Sequence, residues 1–101
     1  MTGLGCISAL RALGDETRLR ILRLLLKDRL SVNELSEKLK VSEYNVSKHL
    51  RVMKEAGLLE IEKDGQRRFY RVVEAFKSQA AANSPILDLG CCTFRIDKLP
   101  K

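Results

Sequence analysis

The chain has 101 residues, of which 45% are hydrophobic and 32% are charged, and this composition is typical of one globular domain rather than a disordered segment. Nineteen Lys and Arg against thirteen Asp and Glu give a formal net charge of +6, which favours a polyanionic partner such as nucleic acid. Unbroken apolar runs reach only three residues, which excludes a membrane span of about 20, and the first residues lack the pattern of a secretory signal. We therefore expect a cytoplasmic protein, in which a second copy would help to bury apolar surface.

Two amphipathic helices are predicted in the first part of the chain. The first covers about residues 6–13 and ends at Gly14, and the second begins after Asp15, which is a good N-cap residue. One side of the first helix carries Ile7, Leu10 and Leu13. Helical spacing gives the second helix an apolar face of Ile21, Leu22, Leu25 and Leu26.

Two shorter helices are predicted next, close together in the chain. Ser31 and Glu34 have the spacing of a capping box, so the third helix begins just after Ser31. The fourth begins at Ser42 and ends at Gly57, its C-terminal glycine. The apolar faces of these helices are Leu35 and Leu39 in the third, and Val46, Leu50 and Met53 in the fourth. Two short helices joined in this way indicate a helix-turn-helix.

A β-hairpin is predicted directly after the fourth helix. The spacing of apolar residues changes there from a period of about 3.6 to a period of 2. The pair Asp64-Gly65, between two runs in which apolar and polar residues alternate, is a strong hairpin signal. A hairpin in this position makes the helix-turn-helix a winged one. A further helix is predicted over residues 74–82 and is ended by Pro85, which leaves a tail. The predicted fold is therefore mainly α with a β-hairpin wing.

The exposed positions of the fourth helix and the hairpin tip point to DNA binding. Short polar and basic side chains on the second helix of a helix-turn-helix can reach base edges and phosphates, and a basic hairpin tip can grip the adjacent backbone or minor groove. The candidate DNA-binding residues are Ser42, Tyr44, Asn45, Ser47, Lys48, His49, Arg51 and Lys54 on the helix, and Lys63, Gln66, Arg67 and Arg68 at the tip. The alternative is that they are only solvated helix and turn residues.

Two segments, "ALGDETRLRILRLL" and "LSVNELSEKLKVSEYNVSKHLRVMKEAGLLEIEKDGQRRFYRV", closely resemble the arsenic-repressor-type (ArsR) winged-helix transcriptional regulators over roughly residues 8–73. The resemblance implies a symmetric homodimer that represses transcription on a pseudo-palindromic operator and leaves the DNA when an inducer binds. It also implies a dimer interface made by the first and last helices, here about residues 6–13 and 74–82. On this basis residues 1–83 form the DNA-binding and dimerisation domain, and residues 84–101 form a cysteine-containing tail.

The only histidine, His49, lies in the "VSKHL" part of the resemblance. The resembled family has a histidine there that contacts DNA or supports the recognition helix. A single histidine without nearby partners is a weak metal-ligand signal. We assign His49 to DNA contact, with a packing role as the alternative.

Two inducer sites of the resembled family are absent from this sequence. One needs two thiols at the start of the helix-turn-helix, where "RLSVNEL" has Ser31 and Asn33 instead. The other needs Asp and His along the last helix, where "EAFKSQAAANS" has neither. An inducer of this protein therefore has to bind elsewhere.

The remaining candidates are the three cysteines, Cys6, Cys91 and Cys92. Trivalent arsenic or antimony needs two or three converging thiolates, and Gly90 permits the unusual backbone that would turn two adjacent thiols the same way. Cys6 could supply a third thiolate from the same or the partner chain. The sequence therefore favours arsenite or antimonite as inducer and indicates no constitutive cofactor.

Other readings of the same cysteines stay open. Two thiols could be oxidised to a disulfide or bridged by sulfur, and cadmium, zinc or copper(I) could bind three thiolates. Residues 91–96 could instead be a short strand in which Cys92 simply packs beside Phe94 and Ile96. An enzyme is the rival class that the sequence disfavours, since it contains no nucleophile–base pair, phosphate-binding glycine loop or carboxylate pair. A DNA-binding module without a sensor is the second rival.

Overall fold

The computed structural model describes residues 6–73, 86–88 and 93–95. The helices are α1 Cys6–Leu13, α2 Glu16–Lys27, α3 Val32–Leu39 and α4 Glu43–Glu55. The strands are β1 Leu59–Asp64, β2 Arg67–Val72, β3 Ile86–Asp88 and β4 Thr93–Arg95. The predicted order of four helices followed by a hairpin is confirmed. The helix predicted over residues 74–82 lies outside the described residues.

Side-chain caps fix where the helices begin. A carboxylate oxygen of Asp15 accepts a hydrogen bond from the backbone N–H of Arg18 at 3.1 Å, and this bond is the main cause that lowers the pKa of the carboxyl group. Ser31 and Glu34 form the predicted capping box, with reciprocal bonds of 3.2 and 2.9 Å. The hydroxyl of Ser42 caps α4. All three predicted helix starts are confirmed.

Gly57 ends α4 as predicted and turns the chain into the wing. Its φ of +86° is a backbone conformation that favours glycine, and its N–H donates to the carbonyl of Lys54 at 3.0 Å. The N–H of the next residue, Leu58, donates to the carbonyl of Met53 at 3.0 Å, which completes a Schellman motif. Leu58 is fully buried, so this turn also fixes the hairpin close beside α4.

The core lies between α2, α3, α4 and the base of the hairpin. The predicted apolar faces of these helices are buried, except that Leu26 is only partly so. The buried helix residues are Ile21, Leu22 and Leu25 of α2, Leu35 and Leu39 of α3, and Val46, Leu50 and Met53 of α4. Leu58, Leu59 and Val72 extend this core into the base of the hairpin.

Helix α1 packs against the rest of the chain through its alanine side rather than through the side that carries Ile7 and Leu10. Ala9, Ala12 and Leu13 are buried, whereas Ile7 is 66% exposed and Leu10 is 45% exposed. Small alanines let α1 lie close to its neighbours, so the chain itself buries that side. Of the predicted apolar side, only Leu13 therefore belongs to the core of one chain.

The wing is a tight hairpin that is joined to a third segment. Strands β1 and β2 pair from Leu59↔Val72 to Asp64↔Arg67, and Gly65, with a φ of +67°, is the first of two loop residues. Leu30, between α2 and α3, exchanges two backbone hydrogen bonds with Tyr70 of β2, at 3.1 and 2.8 Å. The sequence did not predict this bridge.

A second hairpin lies in the segment predicted as a tail. Strands β3 and β4 are antiparallel, with the pairs Ile86↔Arg95, Leu87↔Phe94 and Asp88↔Thr93. Residues 89–92 connect the strands; they include Cys91 and Cys92 and lie outside the described residues. Within the part of the chain that the structure describes, no helix is long and apolar enough to cross a membrane.

Candidate DNA-binding surface

The turn between α3 and α4 has three residues and a fixed conformation. Lys40 adopts a left-handed conformation with a φ of +60°, and its N–H donates to the carbonyl of Ser36 at 2.9 Å. The hydroxyl of Ser36 donates in turn to the carbonyl of Val41 at 2.6 Å. These local bonds set the direction in which α4 leaves α3, so the two helices are held as a helix-turn-helix.

One side of α4 carries a row of exposed polar and basic side chains opposite its buried side. Tyr44, Ser47, Lys48 and Arg51 line a shallow groove at positions three, four and seven apart. The ammonium of Lys48 lies 5.4 Å from the centre of the Tyr44 ring, and Arg51 lies 3.5 Å from Glu55 in an exposed ion pair. Hydroxyls and cations in one row suit the phosphates and base edges of a major groove.

The remaining predicted residues of α4 lie at its start, its end and its second side. Ser42 is exposed, and its oxygen accepts the N–H of Asn45 at 3.2 Å. Lys54 is exposed in the last turn. His49 is half-buried, with Nδ1 3.2 Å from a guanidinium nitrogen of Arg18. The side that contains His49 borders a cavity of about 300 Å³, which is lined by Arg18, Asn45, Lys48, His49, Arg51 and Val52.

The predicted basic residues of the wing differ in how firmly the protein holds them. Lys63 and Arg68 are directly opposite in the hairpin register and both are exposed. Like charges directly opposite repel each other unless an anion lies between them. The guanidinium of Arg67 lies 4.7 Å from the ring centre of Phe69 and 3.8 Å from the carboxylate of Glu34, so it also joins the wing to α3. Gln66 is exposed in the two-residue loop.

Arg29 is a structural partner of the wing that the sequence did not reveal. Its guanidinium is paired with Glu62 and lies 3.0 Å from Asp64 and 4.2 Å from the ring centre of Phe69. Its hydrogen bond to Asp64 is the main cause that raises the pKa of Arg29. The two carboxylate partners lie 33 and 35 residues further along the chain, so no local pattern indicates them.

Within the described residues, no group of three His, Cys, Asp or Glu side chains could hold a metal ion. Cys6 is the first residue of α1, but its side chain lies outside the described part, as do Cys91 and Cys92. Ser31 and Asn33, where the resembled family has thiols, have structural contacts instead. Ser31 caps α3, and the amide of Asn33 donates to the carboxylate of Glu43 at 3.0 Å.

Comparisons with known proteins agree with this geometry. The sequence model of the family described as "Helix-turn-helix domain" matches residues 13–62. "Transcriptional activator HlyU" of Vibrio cholerae is 43% identical over 61 residues, which are 60% of this chain and 56% of that protein. The chain thus spans little more than half of this relative.

Two further proteins match most of the chain. The "Probable mercury resistance operon repressor" of Streptomyces lividans is 33% identical over 91 residues, which cover 82% of this chain and 71% of that protein. A solved structure from Mycobacterium bovis, the "homodimeric winged helix-turn-helix DNA-binding domain" of "a possible ArsR-family transcriptional regulator", superposes with a TM-score of 0.67 at 26% identity. It covers 72% of this chain and 68% of the other.

Proposed function

Because the chain belongs to the ArsR family of winged helix-turn-helix transcriptional regulators, we propose that it is a repressor released from its operator by a thiophilic inducer. The observation that carries the DNA-binding part is the row of exposed hydroxyls and cations on α4, with a basic wing directly after it. The relatives are transcriptional regulators, in agreement with the prediction that the chain is not an enzyme.

The proposal includes a homodimer that presents two copies of α4 to the two halves of an operator. Ile7 and Leu10 support it, because α1 leaves these large apolar side chains exposed, and the resemblance places α1 in the dimer interface. The two recognition helices must then lie about 34–36 Å apart to enter successive major grooves. A small rotation at the interface would change this spacing and weaken binding.

Binding to DNA selected by the protein from a random-sequence duplex pool tests this part. We expect Lys48→Ala and Arg68→Ala each to reduce the slope of log affinity against log salt by about one, because each removes one phosphate contact. Lys27→Ala is the matched control, since Lys27 is an exposed cation at the end of α2, and its slope should equal that of the parent. A parent protein that selects no sequence from the pool contradicts the proposal.

We propose that the inducer is trivalent arsenic or antimony, bound by Cys91 and Cys92 with Cys6 as the third thiolate. Three considerations support this assignment. These are the only thiols in the chain, and soft ions prefer thiolates. Asp88 and Thr93 are paired, so Cys91 and Cys92 belong to a connection of only four residues. The Streptomyces relative is named for resistance to mercury, another thiophilic element.

Release of the selected DNA by a panel of agents tests the inducer. The panel contains arsenite, antimonite, cadmium, zinc and a persulfide donor, each added to the parent and to the Cys6→Ser, Cys91→Ser and Cys92→Ser variants. We expect arsenite and antimonite to release the parent but neither Cys91→Ser nor Cys92→Ser. Release by the persulfide donor alone would indicate thiol oxidation instead. Release by cadmium or zinc but not by arsenite or antimonite would also overturn the metalloid assignment, as would release by no agent in the panel.

A further inference from the structure

Arg18 of α2 lies where α1, α2 and α4 meet and has partners in α1, in α4 and at the N-cap of α2. Its backbone N–H donates to the N-cap Asp15. Its guanidinium donates to the carbonyl of Ala12 and, at 3.3 Å, to that of Arg11, both in the last turn of α1. Carbonyls at the end of a helix lack partners within the helix, so Arg18 caps α1. The third nitrogen of the guanidinium lies 3.2 Å from Nδ1 of His49 in α4.

This contact determines which nitrogen of the His49 ring carries the proton. A guanidinium has only donors and stays charged, so the acceptor in the pair has to be Nδ1. A ring that accepts at Nδ1 is neutral and carries its hydrogen on Nε2. Among the residues that the structure describes, Nε2 of His49 makes no hydrogen bond, so the ring keeps one donor available for a partner.

The ring of His49 borders the cavity of about 300 Å³ beside α4. Lys48 and Arg51 line the same cavity, as does Asn45, and no carboxylate is among its lining residues within the described chain. Arg18 also lines the cavity, so three cations and a neutral N–H donor surround it and form a site for an anion. On the recognition helix of a DNA-binding protein, the anion at hand is a phosphate of the DNA backbone.

We propose that Arg18 is a positioning residue for DNA binding, which holds His49 as a neutral Nε2–H donor for one backbone phosphate of the operator. The proposal rests on the proposed function, because it needs operator DNA as the ligand. It adds a residue that lies outside the predicted DNA-binding set and a defined proton position. Since the same guanidinium caps α1, Arg18 also links the end of α1 to the ring that meets the phosphate.

Two amide variants separate the two nitrogens of the ring. His49→Asn retains an acceptor near the position of Nδ1 but loses the donor, whereas His49→Gln retains a donor near Nε2 but loses the acceptor for Arg18. We expect His49→Asn to keep the parent melting temperature and to bind the selected DNA roughly tenfold more weakly. We expect His49→Gln to melt at a lower temperature and yet to bind DNA more tightly than His49→Asn.

The salt dependence and the ring nitrogens supply readouts that a purely structural role would not change. Because the donor is neutral, His49→Asn should leave the slope of log affinity against log salt unchanged, in contrast to Lys48→Ala. Nitrogen NMR of the free protein at neutral pH should show hydrogen on Nε2, and Arg18→Met should abolish that preference. A phosphate contact also predicts that His49→Asn weakens all bound sequences equally.

Several outcomes would overturn the proposal. The tautomer would be wrong if the free protein carried hydrogen on Nδ1. The phosphate contact would be wrong if His49→Asn bound DNA as tightly as the parent, or if its salt slope fell by about one. The donor role of Nε2 would be wrong if His49→Gln bound DNA no more tightly than His49→Asn. Loss of preference at a single base pair would overturn the phosphate contact. These failures differ from failure of the proposed function, in which the parent itself selects no DNA sequence.

Discussion

The two parts of the candidate DNA-binding surface, α4 and the outer half of the wing, are held in place by different forces. Helix α4 is anchored by Val46, Leu50 and Met53, which are all fully buried. The wing shares this apolar core only at its base, and charged side chains hold its outer half. The ion pairs and ring contacts that reach this half are Arg29 with Glu62, Asp64 and Phe69, Arg67 with Glu34 and Phe69, and Arg71 with Glu62.

The difference means that salt acts on the two parts unequally. Burial of apolar side chains is insensitive to moderate salt, whereas exposed ion pairs are screened. Salt thus weakens the phosphate contacts of both α4 and the wing, but at the wing it also loosens the side chains that orient the hairpin. We therefore expect contacts made by the wing to be lost at lower salt than those made by α4.

The largest effect is expected from the apolar anchor of α4. Leu50→Ala removes a fully buried side chain, and the cavity and the lost burial together should lower the free energy of unfolding by about 2–5 kcal/mol. Urea unfolding measures this loss, and its size should stay the same at low and high salt. A loss that falls strongly with salt would contradict anchoring by packing alone.

The next largest effect is expected at the tip of the wing. Gly65→Ala places a side chain at a φ of +67°, where it meets no atom within 4 Å, so the cost comes from backbone strain. We expect the free energy of unfolding to fall by about 1–2 kcal/mol. Gln66→Ala is the control at the neighbouring loop position, where φ is not positive. Equal losses in the two variants would show that backbone strain is not the cause.

A smaller effect is expected when the contacts of Arg29 with the wing are removed. Arg29→Met removes the guanidinium that Glu62, Asp64 and Phe69 share, and we expect the free energy of unfolding to fall at low salt by an amount that shrinks as salt is added. DNA affinity should fall too, because the freed carboxylate of Asp64 repels phosphate. Arg51→Met, which removes only an exposed pair with Glu55, should cost less than half as much stability.

The smallest effect on stability is expected when the pH is lowered far enough to protonate Glu34. The pKa of Glu34 is lowered, first by the backbone N–H of Ser31 and further by the Ser31 hydroxyl and Arg67. A carboxyl group with a lowered pKa stabilises the fold fully above its ordinary value of 4.5 and loses this contribution as pH falls through the folded value. Urea unfolding from neutral pH to about pH 3 should show the loss, and Glu34→Gln should make it smaller. An identical pH profile for both proteins would contradict this assignment.

Local sequence signals predicted most of the helical part of the fold. Asp15, Ser31 and Ser42 act through bonds to residues three positions away, and Gly57 through its own backbone, so the sequence reveals them directly. The bridge of Leu30 to Tyr70 joins distant parts of the chain, and no residue pattern announces it. The contacts of α1 are also long-range. Helical spacing placed Ile7, Leu10 and Leu13 on one side of α1, but it did not show that the chain packs against Ala9 and Ala12.

The same distinction applies to the candidate site. Exposure of the predicted DNA-binding residues follows from helical period and turn position, and the structure bears it out for all of them except the half-buried His49. The supports behind them, Arg18 and Arg29, act on residues 31 to 35 positions away. A sequence shows which side chains face outward, but long-range packing decides which of these the protein itself holds in place.

The backbone bridge between Leu30 and Tyr70 closes a loop that contains α3, α4 and β1. Both amides of the bridge are hydrogen-bonded, at 3.1 and 2.8 Å, so each should exchange with solvent hydrogen only when this loop opens. Equal exchange rates at the two amides would make the helix-turn-helix and its wing one cooperative unit. A change in the exchange rates of these two amides on addition of DNA or an inducer would show whether that ligand stabilises or loosens the unit.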